Sequence, residues 1–175
     1  MNTKSHFSPS CQHGMMLIEA LMAILIFSLG ILGLVGVNAL AVSSQSDAQY
    51  RSDANKFATQ IINQIWVSVS RTTDPVTHLT AVVPATLKAF NHQSTVADPT
   101  QPCAFSGAVA TDSSVNPWVN SVMAAGSGLP GATAAMQQIV VANTATQLNE
   151  VTVTLCWQPP GESVSRRHVM KSVIN

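Results

Sequence analysis

The sequence predicts an α+β protein: one long N-terminal helix, membrane-spanning in its first half and amphipathic in its second, packed on a small antiparallel sheet. Three observations lead there. Residues 15–42, MMLIEALMAILIFSLGILGLVGVNALAV, carry a single charged side chain, Glu19. Helical spacing of apolar residues then continues to Val69, with no proline between Pro9 and Pro75. Near the other end, residues 150–157 alternate apolar and polar positions with the period of a strand.

At 175 residues the chain has room for one modest domain plus one further element. Charged residues make up 9% of it and hydrophobic ones 46%, whereas roughly a quarter of an ordinary soluble domain is charged. That imbalance points to a segment that avoids water. Formal charge is zero and the basic residues are scattered apart from Arg166, Arg167 and Lys171, so there is no basic stripe of the kind that nucleic-acid binding requires.

The elements follow in order. A run of about 20 apolar residues suffices to cross a ~30 Å hydrocarbon core as a helix, and residues 15–42 exceed it. A carboxylate near such a run is costly, about 2.5–3.5 kcal/mol at the bilayer centre on insertion scales, so Glu19 calls for a partner. A secretory signal is a competing reading, because Ala39-Leu40-Ala41 offers a small-residue cleavage pattern, but the apolar stretch is longer than the ~7–15 residues of a signal core. Gly30, Gly33 and Gly36 recur at three-residue spacing, which suits close helix packing in lipid. Beyond Val42 the apolar positions Ala54, Phe57, Ala58, Ile61, Ile62, Ile65, Trp66 and Val69 form one stripe, opposite a polar face with Gln45, Asp47, Gln49, Arg51, Asp53 and Lys56. One helix from Met15 to about Ser70 is expected. A proline-broken, loop-rich stretch covers 71–111, with a short helix around 85–90. Asn116-Pro117-Trp118 reads as a helix start, running to Ala125 and stopped by Gly126, Gly128, Pro130 and Gly131. Strands are expected at 137–142, 150–157 and 165–173, the last two joined by Gln158-Pro159-Pro160-Gly161-Glu162. Val151, Val153, Leu155 and Trp157 should face the helix.

A short polar leader with Lys4, then Gly14, then Met15-Met16-Leu17-Ile18-Glu19 and a long apolar helix resembles the prepilin processing motif. Ser28-Leu29-Gly30-Ile31-Leu32-Gly33-Leu34 is similar to the run found in the PilV-type minor pilins of type IV pili, as are Leu129-Pro130-Gly131 and Cys156-Trp157. The resemblance implies a pilin-like fold with three segments: a leader, 1–14; a transmembrane and assembly helix, 15–42; and a periplasmic domain, 43–175. It implies cleavage after Gly14 by a prepilin peptidase, Met15 as the methylated new terminus, and Glu19 as the fifth mature residue, an assembly carboxylate that pairs with the amine of a neighbouring subunit. The implied partners are the inner membrane and other minor and major pilins. Met15 departs from the commoner Phe, and Gly36 stands where many major pilins have a kinking proline.

Cleavage there removes Cys11 and leaves Cys103 and Cys156, an even number suited to one disulfide in an oxidising compartment. Such a bridge contributes roughly 2–4 kcal/mol. His78, His92 and His168 are isolated, with no cysteine or carboxylate at metal-ligand spacing, and the chain lacks nucleophile-elbow, phosphate-loop and dinucleotide motifs. Neither a cofactor, a metal nor enzymatic activity is expected. The rival readings are a type II secretion pseudopilin and a periplasmic binding module or adhesin on an uncleaved anchor.

Overall fold

The computed structural model describes residues 13–98, 100–142 and 148–175. The expected leader, including Lys4 and Cys11, lies outside these apart from His13 and Gly14. The chain is α+β and divides into two compact units between Gln45 and Ser46. Helix α1, His13–Ser68, runs uninterrupted through both, as the absence of proline and the sustained helical spacing require.

Within the second unit, α1 supplies one wall of the core. Ala54, Ala58, Ile61, Ile62, Ile65 and Val69 are buried, with Phe57 and Trp66 packed at the margin, so the predicted stripe is the buried stripe. Against it stands a three-stranded antiparallel sheet, β5 (Gln137–Ala142), β6 (Glu150–Trp157) and β7 (Arg166–Val173), in the order β5-β6-β7. The central strand brings Val151, Val153, Leu155 and Trp157 into the same core, each fully buried. Its other face is covered too. Thr154 and Cys156 are buried, and Cys156 packs with Cys103, Phe105 and Met136 in a smaller cluster. Alternation along β6 therefore marks two buried faces, one apolar and one mixed, rather than a core face and a wet face.

The stretch expected to be mostly loop holds two small hairpins. β1 (Arg71–Thr73) pairs with β2 (Thr80–Val82), and β3 (Thr95–Val96) with β4 (Phe105–Ser106). Asp74 shapes the first turn by accepting the amide hydrogens of Val76 and Thr77, an Asx-type turn. Helix α2, Pro84–Lys88, starts on its proline, whose missing N–H is no loss in a first turn. Helix α3, Val115–Met123, begins two residues before the Pro117 that was expected at its first position. Asp112 accepts hydrogen bonds from both the backbone N–H and the hydroxyl of Ser114, setting the chain turning earlier, and Pro117 still falls in the first turn where no amide donor is needed. The indole Nε1 of Trp118 donates to the carbonyl of Phe57 at 2.9 Å, tying α3 to α1.

After α3 the chain closes tightly. The Gly128 amide donates to Ala124 O at 2.7 Å and the Leu129 amide to Val122 O at 2.8 Å. A Cβ on Gly128 would lie 2.3 Å from the Val122 carbonyl oxygen, so only glycine fits. A 3-10 turn, Ala134–Met136, leads into β5. The outer edge of β5 is occupied by residues 91–93: the His92 and Ile139 backbones exchange hydrogen bonds, and the Asn91 side chain accepts the Val141 amide.

Candidate membrane and assembly segment

In the first unit, α1 buries nothing. Every large apolar side chain from Met15 to Val42 is exposed, Phe27 for instance at 69%. Soluble proteins do not leave such a surface to water. The segment is long and apolar enough to cross a membrane, and the 23 residues of 20–42 give about 34 Å of helix at 1.5 Å per residue, more than the hydrocarbon thickness. Within it the Ser28 hydroxyl donates to Ile24 O at 2.7 Å, so its polar group is satisfied inside the helix.

Gly14, Met15 and Glu19 lie on the first turns of this helix, and Glu19 is exposed. A Cβ built on Gly14, Gly30, Gly33 or Gly36 meets nothing within 4 Å, so these positions border open space. At 3.6 residues per turn, Gly30 stands within roughly 20° of Glu19 around the helix axis and Gly33 about 40° to the other side. Carboxylate and small residues thus share a flank, with Gly36 further round. The chain itself brings no other described residue to that flank, so whatever meets it comes from outside.

In the second unit, Cys103 and Cys156 are bonded, their sulfurs 2.00 Å apart and their Cα atoms 5.8 Å apart. The bridge fastens the β3–β4 hairpin to the middle of the sheet. Among the described residues no three or more His, Cys, Asp and Glu side chains gather as a metal site would require. His92 is buried in the core at 2% exposure, its Nδ1 accepting the Ala110 amide at 3.4 Å, and that burial holds its pKa below the ordinary histidine value.

The basic group near the C-terminus alternates along β7. Arg166 and His168 lie half-buried on one face, while Arg167 and Lys171 are exposed on the other. Arg166 Nη2 is 3.0 Å from Glu162 and its Nε 3.9 Å from Asp47, and Lys171 Nζ is 2.9 Å from Glu150. Internal pairing therefore occupies Arg166 and Lys171. Among the described residues, surface grooves open on this unit. One, about 500 Å³, runs past Cys103 between Thr133 and Ser163. Another, about 410 Å³, lies between Tyr50 and the 123–132 turn, and a third, about 220 Å³, between Gln60 and Trp118. None has a charged side chain in its lining.

Sequence reasoning located the apolar segment and its polar residues. It missed the position of Asp47, assigned to the solvent face of α1 but half-buried opposite Arg166. Only the register of β7 against the helix reveals that contact.

A long apolar N-terminal helix that continues into an α+β domain and packs there on a small antiparallel sheet is compatible with a pilin-like fold. The chain matches no protein-family model, no curated protein and no solved structure.

Proposed function

We propose that the protein is a minor pilin of the PilV type, made as a precursor, cut after Gly14 by a prepilin peptidase, held in the inner membrane by residues 15–42, and then drawn into a type IV pilus. The observation that carries this reading is the joint placement of Gly14, Met15 and Glu19 at the head of a helix whose apolar surface is exposed on all sides. A permanent anchor explains the apolar helix but assigns no task to Glu19. Assembly explains both, because the amine freed on Met15 of one subunit and the carboxylate of Glu19 on the next are each costly in a bundle of apolar helices and offset one another when paired. In this scheme Gly30 and Gly33, on the same flank, allow neighbouring helices to approach.

N-terminal sequencing of the protein from cell envelopes tests the processing step. The expected result is a methylated Met15. An intact Met1, or a terminus at Val42 after the Ala39-Leu40-Ala41 pattern, would refute it and favour an anchored binding module or a secreted domain. Deletion of the gene separates the remaining readings. Loss of surface pili supports the pilus role, while intact pili with impaired type II secretion would assign the chain to a pseudopilus instead.

A further inference from the structure

Seven buried side-chain atoms have no hydrogen-bond partner among the described residues; two of them, Asp47 Oδ1 and Arg166 Nε, face each other between α1 and β7, and a third, His168 Nε2, lies on the same face of β7. Asp47 is held from the other side by Arg51, whose Nε lies 3.0 Å from its Oδ2. Arg166 is held likewise by Glu162 at 3.0 Å. Between the two ion pairs the Asp47 Oδ1 to Arg166 Nε distance is 3.9 Å, too long for a hydrogen bond. The contact is electrostatically balanced but not closed.

His168 sits two residues beyond Arg166 on the same face of β7. Arg51 of α1 acts on the imidazole directly, and the ion pairs Arg51–Asp47, Asp47–Arg166 and Arg166–Glu162 continue from it to the same face of β7. β6 contributes the buried, apolar Leu155 directly opposite. Two cations and two anions cancel while the imidazole is neutral. No described carboxylate forms an ion pair with the imidazole. A proton on His168 therefore adds a third cation to a contact whose Nε2 is cut off from water, with no anion free to receive it.

We propose that this cluster is an acid-sensitive latch: protonation of His168 releases residues 46–52 of α1 from β7 while the core that begins at Ala54 stays packed. Partial burial and the neighbouring Arg51 both push the His168 pKa below the ordinary histidine value. The latch is accordingly closed at neutral pH and opens as the pH falls below about 6.5. The apolar stripe from Ala54 to Val69 contains no titrating side chain, so it does not follow.

The test is amide hydrogen exchange on the full chain in detergent micelles, comparing residues 46–53 with 58–66 of the same helix after correction for intrinsic rates. Between about pH 7.5 and about pH 5 the protection of 46–53 relative to 58–66 should fall by roughly tenfold. In His168→Gln, which keeps a polar side chain but cannot take the charge, the ratio should stay flat. In Asp47→Asn, which removes the α1 carboxylate, 46–53 should exchange fast at both pH values. A pH-independent ratio in the wild type, a rise on acidification, an equal fall in His168→Gln, or full protection of Asp47→Asn at neutral pH would each overturn the latch.

Discussion

His92 shows how a single side chain makes the fold sensitive to acid. Its Nδ1 accepts the Ala110 amide, which requires the neutral ring, and its backbone bridges Ile139 on β5. Burial lowers its pKa in the folded state, so the unfolded chain takes the proton first as pH falls. The stability owed to the neutral ring is complete above about pH 6.5 and declines below it, by at most ~1.4 kcal/mol per pH unit until the folded-state pKa is passed. Denaturant midpoints measured from about pH 7.5 to about pH 5 should fall, and His92→Gln should reduce that slope, leaving the share owed to His168, even if it lowers stability throughout. Asp74 and Asp98 are also lowered, by hydrogen bonds from Val76 and Thr77 in one case and from Thr100 in the other. Their contributions are lost only as the pH falls below about 3.8, outside the histidine window. Leu155 supplies the apolar counterpart. It is fully buried at the centre of the sheet, and Leu155→Ala should cost about 2–5 kcal/mol by thermal or denaturant unfolding.

Elements differ in how plainly the chain announces them, and the reason is length. α1 and the three strands of the main sheet repeat their period often enough for the pattern to be read, and residues 137–142 and 150–157 carry strands at the expected bounds. The hairpin strands of two or three residues have no period at all; they exist because Asp74 turns the chain and because a disulfide and the β6 face hold residues 95–106 in place. The start of α3 is hard to read because an Asn-Pro pair looks like a cap, whereas the helix begins at Val115, just after Ser114 donates its amide and hydroxyl hydrogens to Asp112. The turn after α3 is legible as glycines, but not that Gly128 and Gly131 are the two with no room for a Cβ, which would meet the Val122 and Gln158 carbonyl oxygens at 2.3 and 2.8 Å. Gly128→Ala should destabilise the domain by about 1–3 kcal/mol, while Gly126, left-handed but with open space around it, should tolerate alanine with only backbone strain. The bridge is the other element-scale device. It closes a span of 53 residues between Cys103 and Cys156, for which loop-closure entropy gives about 4 kcal/mol. Reduction should lower the melting temperature and raise exchange first in 95–106, as hydrogen-exchange mass spectrometry can resolve; two free thiols in protein isolated from the envelope would remove the bridge from the account.

On the scale of the whole molecule, the two units rest on different sources of stability. From Ser46 onward the chain has its own core, and a fragment of residues 46–175 should be soluble without detergent and unfold cooperatively, near the melting temperature of the full chain. The described residues of the first unit leave their large apolar side chains exposed, a surface that calls for an apolar surrounding. In the proposed pilin role, transfer from membrane to filament would exchange lipid contacts for helix contacts of similar apolarity, so apolar burial alone would give little drive. Direction and register then fall to the polar groups, and Glu19 is the one charged side chain in 15–42. If Glu19 neutralises the amine of an adjoining subunit, Glu19→Ala leaves that amine unpaired among apolar helices, a cost of roughly 3–5 kcal/mol. Incorporation into sheared filaments should then drop about a hundredfold or more, while membrane insertion and cleavage after Gly14 continue. Quantitative blotting of filament and membrane fractions reads both quantities at once. A variant that is cleaved, inserted and incorporated at the wild-type level would show that the carboxylate does not set subunit register.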